Sequence, residues 1–215
     1  MSKVKARRRY DSGLRRQQAS QTRVRMLDAA EKQFGERGYP ATTVEAIASE
    51  AGVAVDTVYA AFGSKRGVLK ALLDVRVGGD DAPVDLLDRP GPQAVRREPN
   101  PRRQLAAFAA DISSIIERAR PVDDIMRGAA AVDADIAALR RSSQEHRYRN
   151  MGQLVSWLSA KGRFREGLTE KEAADIVWTM TSPEVHRLLR AERGWTPEGY
   201  AGWLGQSLVR ILLPG

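Results

Sequence analysis

Between Ile47 and Tyr59 the chain reads Ile-Ala-Ser-Glu-Ala-Gly-Val-Ala-Val-Asp-Thr-Val-Tyr, and this spacing constrains the fold more than any other feature. It suits two helices that cross steeply through a very short turn, a helix-turn-helix. The inner position of the first helix must be small, and Ala48 is. The turn needs a residue that accepts positive φ, and Gly52 follows four residues on. The second helix needs an apolar residue facing back toward the first, and Val58 comes six residues later. Ile47, Ala51 and Val53 supply the surrounding core. With that face buried, Ala54, Val55, Asp56, Thr57, Tyr59 and Ala60 are left to point outward.

A helix presented this way fits the major groove of DNA. The alternative is a helical hairpin inside an ordinary α-helical core. Charge bears on the choice. The chain has 215 residues and a formal net charge of +8. Residues 1–25 hold nine Lys or Arg, among them Arg7, Arg8, Arg9, Arg15 and Arg16, against the single acid Asp11. That equals the whole excess, because the other 190 residues carry 26 cations and 26 anions. An arm that tracks phosphates or enters a minor groove has a physical reason to be Arg-rich. Residues 1–20 are polar, basic and aperiodic, which predicts a flexible arm when free. A basic transit peptide is the competing reading, against which stands the lack of an apolar face.

Other classes fall away. No apolar run approaches the roughly 18–20 residues that span a bilayer, so no membrane partner is expected. There is no Cys, which removes disulfides, zinc-thiolate sites and cysteine nucleophiles, and His146 and His186 are too few for a histidine-built metal site. No metal or cofactor is expected. The basic N-terminus lacks the apolar core of a signal peptide, which points to a reducing, cytoplasmic setting. An enzyme would need a nucleophile–base pair, a carboxylate pair or a phosphate-binding loop. Asp123-Asp124 and Asp133/Asp135 are adjacent or two apart, so neither pair shares one helical face.

Along the chain the pattern is helical, with no convincing strand and no internal repeat. Val24, Leu27, Ala30 and Phe34 recur about once per turn, and Gly38 is a stop. Thr42 or Thr43 caps the next helix, and Thr42 to Glu45 reads as a capping box. Val44, Ile47, Ala48 and Ala51 form its apolar stripe. Short and longer helices follow at about residues 55–61 and from Ser64 to about Val77. Residues 78–101, with five prolines, read as a loop holding at most a turn of helix at residues 84–87. Helices are expected from about Arg102, from Pro121, from about Asp133 to Lys161, from Thr169 with a restart at Pro183, and from Thr196-Pro197.

Residues Thr22 to about Asp74 resemble the TetR family of transcriptional regulators. The likeness rests on Arg37-Gly38-Tyr39, Ala41-Thr42-Thr43-Val44, Ile47-Ala48, Ala51-Gly52-Val53, Thr57-Val58-Tyr59, Phe62, and Ser64-Lys65 with Leu69. It covers about a quarter of the chain. A softer likeness, to regulatory domains of an actinobacterial-type subgroup, lies in Trp178 to Glu184 and Glu192 to Trp195. The resemblance implies a phosphate contact from Thr43, backbone or base contacts from Thr57 and Tyr59, and a phosphate contact from Lys65. Ala54 and Val55 can meet a thymine methyl. Asp56 either accepts from a cytosine amino group or caps its helix clear of the phosphates. The chain departs from the family at Val55, Asp56, Ala60 and Ala61, where a polar residue, Gly and one or two His are frequent. Two potential contacts are therefore missing.

The fold class expected is all-α: an arm at 1–20, a three-helix DNA-binding domain at 21–66, and a larger helical effector-binding and dimerisation domain at 67–215. Its partners are double-stranded operator DNA, a small-molecule effector and a second copy of the chain. Dimer candidates are Ile176, Val177, Leu188, Trp203, Leu204, Leu208 and Ile211. Effector candidates are Phe108, Ile112, Met126, Arg127, Met151, Trp157, Trp178 and Met180. Both sets read equally as core packing. Arg140, Arg141, Arg147 and Arg149 with His146 read as a solvated helix face, since Glu145 interrupts them. A helix-turn-helix factor that needs no effector is the alternative function.

Overall fold

The computed structural model describes the backbone of residues 2–215 and the side chains of residues 17–215. Among these residues the chain is helical and has no strand. It divides into two compact units, Met1–Val75 and Arg76–Gly215. No helix among the described residues is long and apolar enough to cross a membrane.

The first unit contains α1 (Ser2–Ala41), α2 (Val44–Ala51), α3 (Val55–Phe62) and most of α4 (Lys65–Gly78). The backbone of α1 is helical from Ser2, through the stretch expected to be a flexible arm. Ala, Lys, Arg and Gln, abundant there, are good helix formers even where no apolar face exists. The side chains of Arg7, Arg8, Arg9, Arg15 and Arg16 lie outside the described residues. Gly38, at φ 76° and ψ 157°, breaks α1 where the sequence places its stop. Met26, Leu27, Ala30 and Phe34 of α1 are buried, as are Val44, Ile47, Ala48 and Ala51 of α2, Val58 of α3, and Val68, Leu69, Leu72 and Val75 of α4. Burial of this size is the main stabilising term.

The second unit continues with a 3₁₀ turn (Leu86–Asp88), α5 (Pro90–Arg97), α6 (Pro101–Ala130), α7 (Ala134–Ser159), α8 (Glu170–Met180), α9 (Pro183–Arg187), a π turn (Leu188–Glu192) and α10 (Pro197–Leu212). Leu105, Phe108, Ile112, Leu154, Leu158, Val177, Tyr200, Leu204 and Leu208 share one core. Gly205 lets α10 close on α6: a Cβ there would stand 3.3 Å from the Ala109 Cβ and 3.5 Å from the Ala106 Cα.

Two expectations are corrected here. The stretch 78–101 holds a helix, α5, because Pro90 opens its first turn instead of breaking one. Pro121 does not begin a separate helix. It lies within α6, where proline removes a single backbone donor and leaves the packing face of the helix intact.

Candidate nucleic-acid interface

The corner between α2 and α3 is built by its caps. Thr43 is the N-cap of α2, and its hydroxyl accepts from the Ala46 N–H at 3.2 Å. The capping box of Thr42 with Glu45 does not form. Thr42 is buried, and its hydroxyl lies 2.9 Å from the Gln33 carbonyl and 2.8 Å from that of Gly38, tying down the end of α1. At the other end Gly52 adopts φ 65°, ψ 41°. Its N–H donates to the Ser49 carbonyl at 3.2 Å, and the Val53 N–H donates to Ala48 at 3.0 Å. This pair of bonds is a Schellman turn, which needs a residue free to adopt positive φ. Ala48 is buried at the crossing, and Val58 turns back into the core.

What remains outside is the face the spacing predicts. Ala54, Asp56, Thr57, Tyr59 and Ala60 are exposed, and Val55 is half-buried. Tyr59 is 44% exposed. Thr43, at the start of α2, is also exposed. Asp56 does not cap α3: the N-cap is Ala54, with no side-chain bond, and Asp56 sits in the first turn, where a carboxylate complements the helix dipole. A cap must stand one residue before the first helical residue, and α3 begins at Val55, too early for Asp56.

Two cations fix α3 and α4 instead of reaching outward. Lys65 Nζ donates to the carbonyls of Tyr39 and Thr42, both at 2.9 Å, and to Pro40 at 3.4 Å. Its ammonium protons are therefore directed at the α1–α2 turn. Arg23 Nη1 donates to the Ala61 carbonyl at 3.1 Å, and the guanidinium lies 4.4 Å from the centre of the Phe62 ring. Arg23 thus caps the C-terminal end of α3 from α1. Gly67 completes the frame: a Cβ there would stand 1.9 Å from the Phe62 carbonyl oxygen, so α4 and α3 meet backbone to backbone. Sequence reasoning missed Arg23 and Gly67. Helical periodicity gives no signal for either.

Residues 26–72 match the family of bacterial regulatory proteins, tetR family. Over 59 residues it is 39% identical to the HTH-type transcriptional regulator TtgR of Pseudomonas putida and equally to the probable HTH-type transcriptional regulator ArpR of that species. The match spans 27% of this chain and 28% of the length of either relative.

Whole-chain likeness is to solved structures. NalD, the secondary repressor of the MexAB-OprM multidrug efflux pump in Pseudomonas aeruginosa, is 23% identical, with 90% of this chain and 96% of that one covered and a TM-score of 0.66. FadR from Bacillus subtilis, solved in complex with stearoyl-CoA, is 18% identical, with 86% and 97% covered and a TM-score of 0.68. At such identities the likeness establishes the fold alone.

The expected effector and dimer residues separate by burial. Phe108, Ile112, Met126 and Met151 are buried in the core, Trp157, Trp178 and Met180 are half-buried, and Arg127 is exposed, paired with Asp124 at 3.1 Å. Val177, Leu204 and Leu208 are fully buried within the monomer, because α8 and α10 turn those positions toward α6 and α7. Ile176 and Trp203 are half-buried, while Leu188 and Ile211 stay exposed.

Proposed function

We propose that the chain is a ligand-responsive DNA-binding transcriptional regulator. It binds a palindromic operator as a homodimer, acts as a repressor and is released by a small molecule. The observation that carries this reading is the exposed face of α3, from Ala54 to Ala60, held outward by Val58, Arg23 and Gly67 in a domain matched to the TetR family. Two copies would set their α3 helices in successive major grooves, about 34–36 Å apart. An effector that binds better to a different separation lowers DNA affinity by its differential affinity for the two states. The five arm arginines would supply phosphate contacts, each adding about −0.9 to the salt slope. On this reading the chain works in the bacterial cytoplasm, at the nucleoid.

Selection of operators from genomic fragments tests the proposal, followed by affinity measurement across salt for the full chain and for a chain lacking residues 2–16. A sequence-specific palindrome and a shallower slope after deletion are expected; absence of specific binding overturns the reading, and an unchanged slope removes the arm from it. A second reading, a factor that needs no effector, is favoured by the burial of Phe108, Ile112, Met126 and Met151 in packed core. Release of the operator by a small molecule decides between them.

A further inference from the structure

Two arginines on one face of α7 are turned inward, and they are treated differently. Arg140 has two carboxylates: its Nη2 donates to Glu184 at 2.8 Å and to Asp123 at 3.3 Å. Arg147, two turns later, has none within 4.0 Å among the described residues. Its Nε donates to the Gln144 side chain at 3.0 Å, and its Nη1 to the Trp178 carbonyl at 2.7 Å and the Thr181 hydroxyl at 3.2 Å. No hydrogen bond engages its Nη2 among the described residues. The guanidinium lies 4.7 Å from the centre of the Trp178 ring, and the buried Trp178 Nε1 has no acceptor among the described residues.

A partly buried cation held only by neutral acceptors is an expensive arrangement, which an anion relieves. Burial, with a smaller push from the Arg140 charge, drives the Arg147 pKa down to about 10, although Glu184 and Asp123 act against that fall from a distance. The Thr181 hydroxyl lies 3.6 Å from Met151 Sδ, and the Tyr200 hydroxyl donates to the Met180 carbonyl at 3.4 Å. Arg147, Trp178 and Met180 are each only half-buried, so the free side of the guanidinium is within reach of the surface.

We infer that Arg147 is the anchor of the effector site, and that the effector is a carboxylate on an apolar body. The carboxylate takes the unused Arg147 N–H and the Trp178 indole N–H, and the body lies along Trp178, Met151 and Met180. The inference rests on the ligand-responsive reading and names the chemistry of its ligand. It also differs from the expectation drawn from the sequence, in which Arg127 is the polar effector candidate and Arg147 lies on a solvated face. Arg127 is exposed and already paired, whereas Arg141, His146 and Arg149 do lie exposed.

The test is thermal unfolding of the full chain with octanoate, palmitate and phenylacetate, each beside the alcohol of the same skeleton. The acids are expected to raise Tm by about 3 °C at roughly tenfold excess over Kd, and the alcohols not. Arg147→Gln is expected to abolish the shift, and Arg147→Lys to keep part of it. The inference is overturned if none of the acids shifts Tm, if alcohols shift it equally, or if Arg147→Gln keeps the shift. Should Arg147→Gln fail to fold, the acid-against-alcohol pairs and Arg147→Lys still decide. Operator binding, measured on the same unliganded samples, reports separately on the DNA-binding reading.

Discussion

The Lys65 ammonium donates to the Tyr39 carbonyl at 2.9 Å and lies 4.4 Å from the centre of the same residue's ring. With the Thr42 and Pro40 carbonyls also in reach, Lys65 joins the start of α4 to the turn between α1 and α2. Family resemblance makes this lysine a phosphate ligand; its contacts make it a clamp. Lys65→Met should lower the stability of the first unit by about 1–3 kcal/mol, the scale of a charged hydrogen-bond donor lost from partly buried acceptors. The salt slope of operator binding should stay unchanged. Loss of a phosphate contact would instead reduce the slope by about 0.9 per subunit. A full salt titration of the variant, with its melting curve, separates the two: a reduced slope at unchanged Tm removes the clamp.

Gly67 faces the Phe62 carbonyl so closely that a methyl group has no room. In an exposed helix Gly→Ala usually gains up to about 1 kcal/mol. Here the sign should invert, because the obstructing atom belongs to the backbone of α3 and cannot swing away. We expect Gly67→Ala to cost about 1–3 kcal/mol, as overpacking does, and to displace the end of the recognition helix. Operator affinity should fall more than for Gly35→Ala, a site where an added Cβ meets nothing within 4 Å. Melting temperature and operator affinity of the two variants, compared side by side, give the answer; a stabilised Gly67→Ala would show that the close approach does not exist.

Asp56 stands in the first turn of α3, exposed and not used as a cap. Asp56→Asn keeps the shape and removes the charge, so the fold should lose no more than about 0.3–1 kcal/mol of dipole interaction. If the carboxylate accepts from a cytosine amino group, preference at one base pair should change by about 1–3 kcal/mol. Affinity for unrelated DNA should rise at the same time, since an anion facing the phosphates is gone. Binding to an operator set with every single base-pair change measures both effects. Uniform tightening with no positional change would leave Asp56 without a reading role.

The sequence was most legible where a local rule sufficed. The Ala48, Gly52 and Val58 spacing marks the α2–α3 corner, Gly38 stops α1, and Thr169 caps α8. It misled where one residue type has two uses. Pro90 can break a helix or open one, and only the burial of Pro92 and Val95 shows that α5 has a packing face. Arg140 and Arg147 belong to the same sequence cluster as the exposed Arg141 and Arg149, and a helix of 26 residues gave too weak an apolar stripe to say which way each points. Lys65 and Arg23 escaped because their acceptors are backbone carbonyls from distant turns, which no side-chain pattern encodes.

His186 is 1% exposed and packs edge-on against Tyr200, with ring centres 4.8 Å apart. Its Nε2 lies 3.0 Å from a Glu117 carboxylate oxygen, close but not aligned as a hydrogen bond, and Arg190 holds that carboxylate through two bonds of 3.0 Å. Burial pushes the His186 pKa below its ordinary 6.5, Glu117 pulls it back up, and Arg120 and Arg190 push it further down. The unfolded chain therefore takes up the proton first as pH falls below 6.5. Stability is fully present above that value and is lost from there down toward the folded pKa. Glu117 is held below its own 4.5, first by its bond to Arg190, so its contribution is lost only at lower pH. Asp111 and Asp123 are raised by burial and act with the opposite sign, which makes subtraction against a variant necessary. His186→Gln should flatten the fall in Tm between pH 7 and pH 5, with the curves converging near the folded pKa of His186. Parallel curves for the two proteins across that interval would mean that His186 does not titrate differently on folding.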